Sequence, residues 1–156
     1  MGGIARIGRM NVANTMRVAV GQIREVSDET LTFARQLGIE SVQFNTPDLP
    51  TETGRWEVAD LVALKKQCAD YGLSLEALEN VPVDFYDRAM LGLPGRDEQI
   101  ENYACTIRNM GAAGIPILGY HWMPNGVWRT STDTKGRGGA AVTTFDAAVA
   151  DSRLPI

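Results

Sequence analysis

Apolar positions follow two alternating rhythms along this chain. Short apolar runs recur, and each is followed by a longer stretch in which apolar residues return every three or four positions. The run MRVAV at 16–20 reads as a first strand. Ser27 and Asp28 then offer a helix start, and Leu31, Ala34 and Leu37 keep helical spacing up to Gly38, a natural stop. IESVQF at 39–44 reads as a second strand, and 45–54, rich in Pro, Thr and Gly, as a loop. Residues 56–71 read as a second helix with a stripe of Val58, Leu61, Val62, Leu64 and Cys68, Lys65 at its edge, and Gly72 as its end. LSLEAL at 73–78 is a third strand. A long loop is expected over 83–96, where LGLPG breaks any regular structure. A third helix is expected over 97–113, its stripe running Ile100, Tyr103, Ala104, Ile107 and Met110, closed by Gly114. IPILG at 115–119 is a fourth strand, with Pro116 early, where a lost donor does least harm. The polar, glycine-rich 130–139 reads as a loop, and 142–150 as a strand, a short helix or neither.

Strands joined through helices pair in parallel, with right-handed crossovers. Two architectures suit this order, an open doubly wound sheet and a closed barrel. No GxGxxG fingerprint follows the first strand, where a dinucleotide-binding fold carries one. The strands end instead on Gly21-Gln22, Asn45-Thr46, Glu79-Asn80 and Tyr120-His121. In a barrel all such ends face one mouth, where the chemistry sits. The reading is therefore α/β, a partial (β/α)₈ TIM barrel of about four parallel βα units. Residues 1–15 form an irregular lead-in, and 16–156 the N-terminal half of a barrel domain. A full barrel needs at least about 200 residues, so a truncated domain is expected, with two open sheet edges. Barrel strands are expected to be apolar on both faces, and open edges invite pairing, so a homo-oligomer through those edges is a candidate assembly.

Composition narrows the partners. With 15 basic and 19 acidic residues among 156, the formal charge is −4, and the basic residues do not cluster, so no nucleic-acid partner is expected. No apolar run approaches the roughly 18 residues of a membrane span, and the N-terminus lacks the apolar core of a secretory signal. A cytoplasmic protein is the expectation. Its two cysteines, Cys68 and Cys105, lie inside helical patterns without metal-ligand spacing, and are read as free, packed thiols.

The wording of the chain then adds a family. NYACTIRNMGAAG at 102–114, the following IPILGYHWMPNGVWRTSTDT, Glu79-Asn80-Val81-Pro82 after the third strand, and GGAAVTTFD at 138–146 together resemble the D-mannonate dehydratase family, within the xylose-isomerase-like barrels. The most specific piece is 120–134. The resemblance implies a (β/α)₈ lyase that dehydrates D-mannonate to 2-keto-3-deoxy-D-gluconate in hexuronate (glucuronate) breakdown, with a small sugar acid as its partner. It implies a divalent metal, manganese or iron, chelated by the substrate carboxylate and its neighbouring hydroxyl, which stabilises the enediolate. It also implies a histidine–cysteine–histidine–aspartate ligand set on the last four strands. This chain holds a single histidine, His121, and so cannot supply that set. The expectation is a chain with no metal site of its own and little activity alone.

The candidate substrate contacts are Asn45, Glu79, Tyr120, His121, Trp122, Trp128 and Arg129; no catalytic residue is assigned. His121 follows the fourth strand and is either a substrate contact at the barrel mouth or a satisfied structural histidine. Arg129 suits a carboxylate through its paired donors, or pairs an acid within its own loop. Trp122 and Trp128 line a sugar pocket or pack the loop. Glu79 holds a hydroxyl or orients another side chain. Asn45 and Asn80 recognise a polyol or are ordinary turn residues, and Arg137 is read as a solvated loop charge. Two further readings stay open: another xylose-isomerase-like isomerase or epimerase, and a non-catalytic half-barrel module.

Overall fold

The computed structural model describes residues 16–123 and 129–150. The expected lead-in at 1–15 and Trp128 lie outside the described residues. Four strands, β1 (Ala19–Ile23), β2 (Ser41–Asn45), β3 (Ser74–Glu79) and β4 (Ile117–Gly119), form one sheet in the order β1-β2-β3-β4, every neighbour parallel. The order follows the chain without reversal, as one arc of a barrel does, whereas a doubly wound sheet reverses its strand order. Helix α1 (Asp28–Gln36) joins β1 to β2, and α2 (Val58–Asp70) joins β2 to β3. Between β3 and β4 lie a 3₁₀ turn (Val83–Phe85), a short helix α3 (Asp87–Leu91) and α4 (Arg96–Ala112). A separate antiparallel hairpin follows, β5 (Ser131–Lys135) and β6 (Ala141–Thr144). No described helix is long and apolar enough to cross a membrane.

Strands β2, β3 and β4 begin one or two residues later than the apolar pattern suggests, for one reason. Helices α1, α2 and α4 each end on a left-handed glycine, Gly38, Gly72 or Gly114. The next residue then donates back into its helix: Ile39 to Ala34, Leu73 to Cys68, Ile115 to Met110. This is the Schellman closure, whose trailing apolar residue packs on the helix it ends. Ile39, Leu73 and Ile115 are thus spent on helix termination before the ladder starts. The first strand is shifted further, to Ala19–Ile23 from the expected 16–20. Ladder pairing begins at Ala19 opposite Ser41, and Met16 and Val18 stand exposed ahead of it.

The core lies between helices and sheet. Leu31 and Ala34 of α1, Leu61, Leu64 and Cys68 of α2, and Met110 of α4 are buried with Val42, Phe44, Leu75 and Leu78. The expectation of strands apolar on both faces fails at β2. Val42 and Phe44 are fully buried, while Ser41, Gln43 and Asn45 alternate with them and point polar groups to the opposite face.

Three other expectations are corrected. The stretch 83–96 is not simply a loop, because Gln99 pins it: its amide donates to the Asp84 carbonyl and the Asp87 carboxylate, each at 2.7 Å, and accepts from the Ala89 N–H at 2.8 Å. The stripe of α4 holds at Met110, which is buried, and at Tyr103, which packs on the core, but not at its isoleucines. Ile100 and Ile107 are 53% and 51% exposed, while Gln99 and Thr106 are buried. Thr106 Oγ1 accepts from the Trp56 N–H at 3.3 Å, and Asn109 donates to the Trp56 carbonyl at 2.7 Å. Satisfying this buried backbone next to a fully buried Trp56 decides which side of α4 turns inward. Finally, the expected loop at 130–139 contains β5. Its threonines suit an extended strand, and the Thr134 and Thr144 hydroxyls meet at 2.9 Å across the hairpin.

Candidate functional site

Three strands deliver polar side chains to one end of the sheet. Asn45 and Glu79 are the last residues of β2 and β3 and stand directly opposite each other in the ladder. The strands β2 and β3 turn off in the same manner, Thr46 and Asn80 taking left-handed conformations with φ of 44° and 63°, while Gln22 takes one, with φ of 65°, inside β1 at its bulge between Val20 and Ile23. None is glycine, and such a backbone is uncommon elsewhere. The Thr46 N–H donates to the Glu79 carbonyl and the Asn80 N–H to the Gly119 carbonyl, both at 2.8 Å, so the turns stay locked to the next strand.

The side chains form a linked set. Gln43 Nε2 donates to Glu79 Oε2 at 2.7 Å, and Gln22 Nε2 approaches the same oxygen at 3.4 Å. Asn45 Nδ2 reaches Gln22 Oε1 at 3.5 Å, and Asn80 Nδ2 donates to Asn45 Oδ1 at 3.3 Å. Thr46 Oγ1 also donates to Asn45 Oδ1, at 3.1 Å. Amides on β1 and β2 thus orient a carboxylate on β3. A Cβ on Gly119 would lie 3.6 Å from Glu79 Cα and 3.7 Å from its Cγ, so β4 passes close beside the stem of Glu79. A cavity of about 400 Å³, lined by Arg24, Pro47, Asp60 and Gln67, lies between the segments that follow β1 and β2 and helix α2.

The other predicted contacts gather in a second, aromatic group. Trp122 stacks on Tyr103 of α4 with ring centres 5.9 Å apart at 30°, and meets Tyr86 edge-on at 5.2 Å. The His121 ring stands edge-on to Tyr86 at 6.1 Å, its Nδ1 3.5 Å from the Tyr86 hydroxyl. Burial, and secondarily the Asp87 charge, raises the Tyr86 hydroxyl above its ordinary pKa; burial likewise raises Tyr103. Both are neutral donors at physiological pH. The loop after β4 is thereby fastened onto α4, with Tyr120 69% exposed. Arg129 is exposed and stands just before the hairpin. No hydrogen bond joins the two groups among the described residues. Sequence reasoning left out Gln22 and Gln43 as carboxylate partners and Tyr86 and Tyr103 as the aromatic bed. Two signals were available: Gln22 stands in the strand-end pair Gly21-Gln22, and Gln43 is a polar residue between two apolar ones.

Among the described residues, no three His, Cys, Asp or Glu side chains come together to hold a metal ion. The groups these residues present do not fit a divalent metal.

A family model described as D-mannonate dehydratase (UxuA) matches residues 16–155. The mannonate dehydratase of Thermotoga neapolitana is 35% identical over 128 residues, covering 81% of this chain and 35% of that protein. That of Streptococcus pneumoniae (strain 70585) is 36% identical over 94 residues, covering 60% of this chain and 25% of that protein. The crystal structure of mannonate dehydratase from Streptococcus suis serotype 2 superposes with a TM-score of 0.71 at 28% identity, over 86% of this chain and 38% of that one. The chain spans between a quarter and about a third of the length of these curated relatives.

Proposed function

This chain belongs to the D-mannonate dehydratase family, and we propose that it supplies one part of the active-site mouth of a hydro-lyase acting on a sugar acid, D-mannonate. The observation that carries the proposal is the strand-end set around Glu79, which lies where a barrel binds its substrate. The reaction removes the C2 proton and the C3 hydroxyl as water. The resulting enol rearranges to 2-keto-3-deoxy-D-gluconate, so the atoms balance with one water released.

This chain contributes recognition. Gln43 and Gln22 engage Glu79 Oε2, and no hydrogen bond occupies Oε1 among the described residues. Oε1 then accepts a substrate hydroxyl, and amide donors and acceptors of Asn45 and Asn80 engage neighbouring hydroxyls. The rim is formed by His121 and Tyr120, with Trp122 holding the loop on Tyr103. Trp128 and Arg129 belong to the same proposed rim, the guanidinium facing the substrate carboxylate. A divalent metal, manganese or iron, completes the centre through ligands other than the described residues. The working place of such an enzyme is hexuronate breakdown in the cytoplasm. Family membership favours this hydro-lyase over an isomerase or epimerase on the same barrel.

The test is manganese-dependent release of 2-keto-3-deoxygluconate from D-mannonate, by the chain alone and mixed with the C-terminal part of a related mannonate dehydratase. Release only in the mixture supports the proposal. Release in neither, with both parts folded and associated, overturns it.

A further inference from the structure

Tyr86 is fixed by its own segment before it meets anything after β4. Its N–H donates to the Val83 carbonyl at 3.0 Å, and its carbonyl accepts from the Met90 N–H at 2.9 Å. Gln99 ties down Asp84 and Asp87 on either side of it. The side chain is only 3% exposed. From that base the ring meets two consecutive residues of the loop after β4, His121 at 89° and Trp122 at 73°.

The phenol has a single hydrogen-bond partner among the described residues, His121 Nδ1 at 3.5 Å. Burial, then the Asp87 charge, raises the Tyr86 pKa, so the hydroxyl keeps its proton. A proton on Nδ1 would point at the phenol oxygen and leave the phenol's own proton buried without an acceptor, which is the costly arrangement. The phenol therefore donates and Nδ1 accepts. A neutral imidazole has one donor and one acceptor nitrogen, which places the ring proton on Nε2. No carboxylate pairs with the ring among the described residues; the Asp87 carboxylate is engaged by Gln99 and by the Arg88 N–H. An imidazole backed by a carboxylate presents its other nitrogen as a base. One backed by a donating hydroxyl presents an N–H.

We propose that Tyr86 is a positioning residue that holds His121 as the neutral Nε2–H tautomer, so that His121 offers the substrate a hydrogen-bond donor and not a base. Nδ1 is engaged by the fold, and no hydrogen bond reaches Nε2 among the described residues. The ligand group that suits Nε2–H is an oxygen acceptor, a hydroxyl or a carboxylate. His121 lies two residues beyond Gly119, which pairs with Glu79 in the ladder. A carboxylate acceptor on β3 and an imidazole donor after β4 thus serve adjoining oxygens of a polyol acid. This last step rests on the strand ends being the substrate mouth, whereas the tautomer does not.

The chain holds one histidine, so its imidazole signals belong to His121 without further assignment. Long-range nitrogen–proton correlation spectra of the isotope-labelled whole chain are recorded at about pH 8.5, above the ordinary imidazole range. The parent is expected to show one tautomer, protonated on Nε2. Tyr86→Phe keeps the ring and its packing, and is expected to show both tautomers in exchange with an unchanged far-ultraviolet spectrum. A parent ring protonated on Nδ1, or the same single tautomer in both proteins, overturns the proposal. In the active mixture of halves, Tyr86→Phe is expected to lower kcat/KM for D-mannonate about tenfold, and to have no further effect in a His121→Gln background. Equal losses in the two backgrounds also overturn it, because Tyr86 then acts through loop packing and not through His121. The spectra need no substrate, so a mixture that releases no product counts against the proposed function while the tautomer is still decided by the spectra.

Discussion

Gln43, in the middle of β2, donates its amide to the Glu79 carboxylate at the end of β3 across 2.7 Å. The pair is separated by 36 residues in the chain and brought together by one step of parallel ladder. Replacing Glu79 by Gln keeps size and removes charge. In the active mixture of halves, we expect Glu79→Gln to lower kcat/KM for D-mannonate about 100-fold or more, with the far-ultraviolet spectrum unchanged. Gln43→Leu leaves the charge but frees its orientation, and a loss of about tenfold is expected. Steady-state kinetics check both.

Lys65 closes α4 from a neighbouring helix. Its ammonium donates to the Gly114 carbonyl at 2.7 Å and to that of Ala113 at 3.1 Å. A Cβ on Gly114 would fall 2.7 Å from this nitrogen, whereas one on Gly38 would meet nothing within 4 Å. Both glycines have positive φ, so alanine strains each by about 1 kcal/mol. Gly114→Ala also displaces the lysine. It is expected to cost about 1 kcal/mol more than Gly38→Ala in urea unfolding. Equal costs would show that the lysine contact contributes nothing.

Burial pushes the Cys68 thiol up to about 11, outweighing a backbone hydrogen bond that lowers it. Its side chain is fully buried, while Cys105 is half-buried. A thiol so placed is protonated and unreachable. Labelling the native chain with a disulfide reagent should modify Cys105 alone at early times, with Cys68 reacting only in denaturant. Fast labelling of both in the native state would contradict the buried position.

Acid should loosen the segment before α4. The hydrogen bond from Gln99 holds the Asp87 carboxyl below its ordinary value of 3.8, against a smaller opposing effect of burial. A group whose folded pKa is depressed stabilises the fold above its unfolded pKa, and that contribution is lost as pH falls through the folded value. Thermal melts should therefore keep this contribution down to the ordinary carboxylate pKa and lose it as pH falls below that value. Asp87→Asn should flatten that acid limb, most visibly below the ordinary carboxylate pKa.

Much of the architecture was legible because it is written locally. The glycine stops at Gly38, Gly72 and Gly114 were readable one by one, and so was the Ser27 start, whose hydroxyl accepts from the Thr30 N–H at 3.2 Å. Less legible was the turn of α4. Ile100 and Ile107 make a plausible stripe, yet the buried backbone of Trp56 calls for Thr106 and Asn109. Nor did the polar run at 131–135 announce a strand, since its extended form rests on pairing with β6. At the strand ends Asn45 and Glu79 were readable from their positions alone. That Gln22 and Gln43 converge on Glu79 was not, because the register between strands is carried by no short stretch of chain.

The sequence by itself determined the alternation of strand and helix, the points where each helix stops, and membership of a dehydratase family. The first two depend on interactions within about one or two helical turns, where backbone conformation and neighbouring side chains suffice. Only the tertiary structure decided which polar residues share a site, which face of α4 turns inward, and that a hairpin stands beside the sheet. Each of those outcomes depends on burial and pairing between residues far apart in the chain. Their cost or gain is felt only when the sheet has assembled and a buried polar group must find its partner.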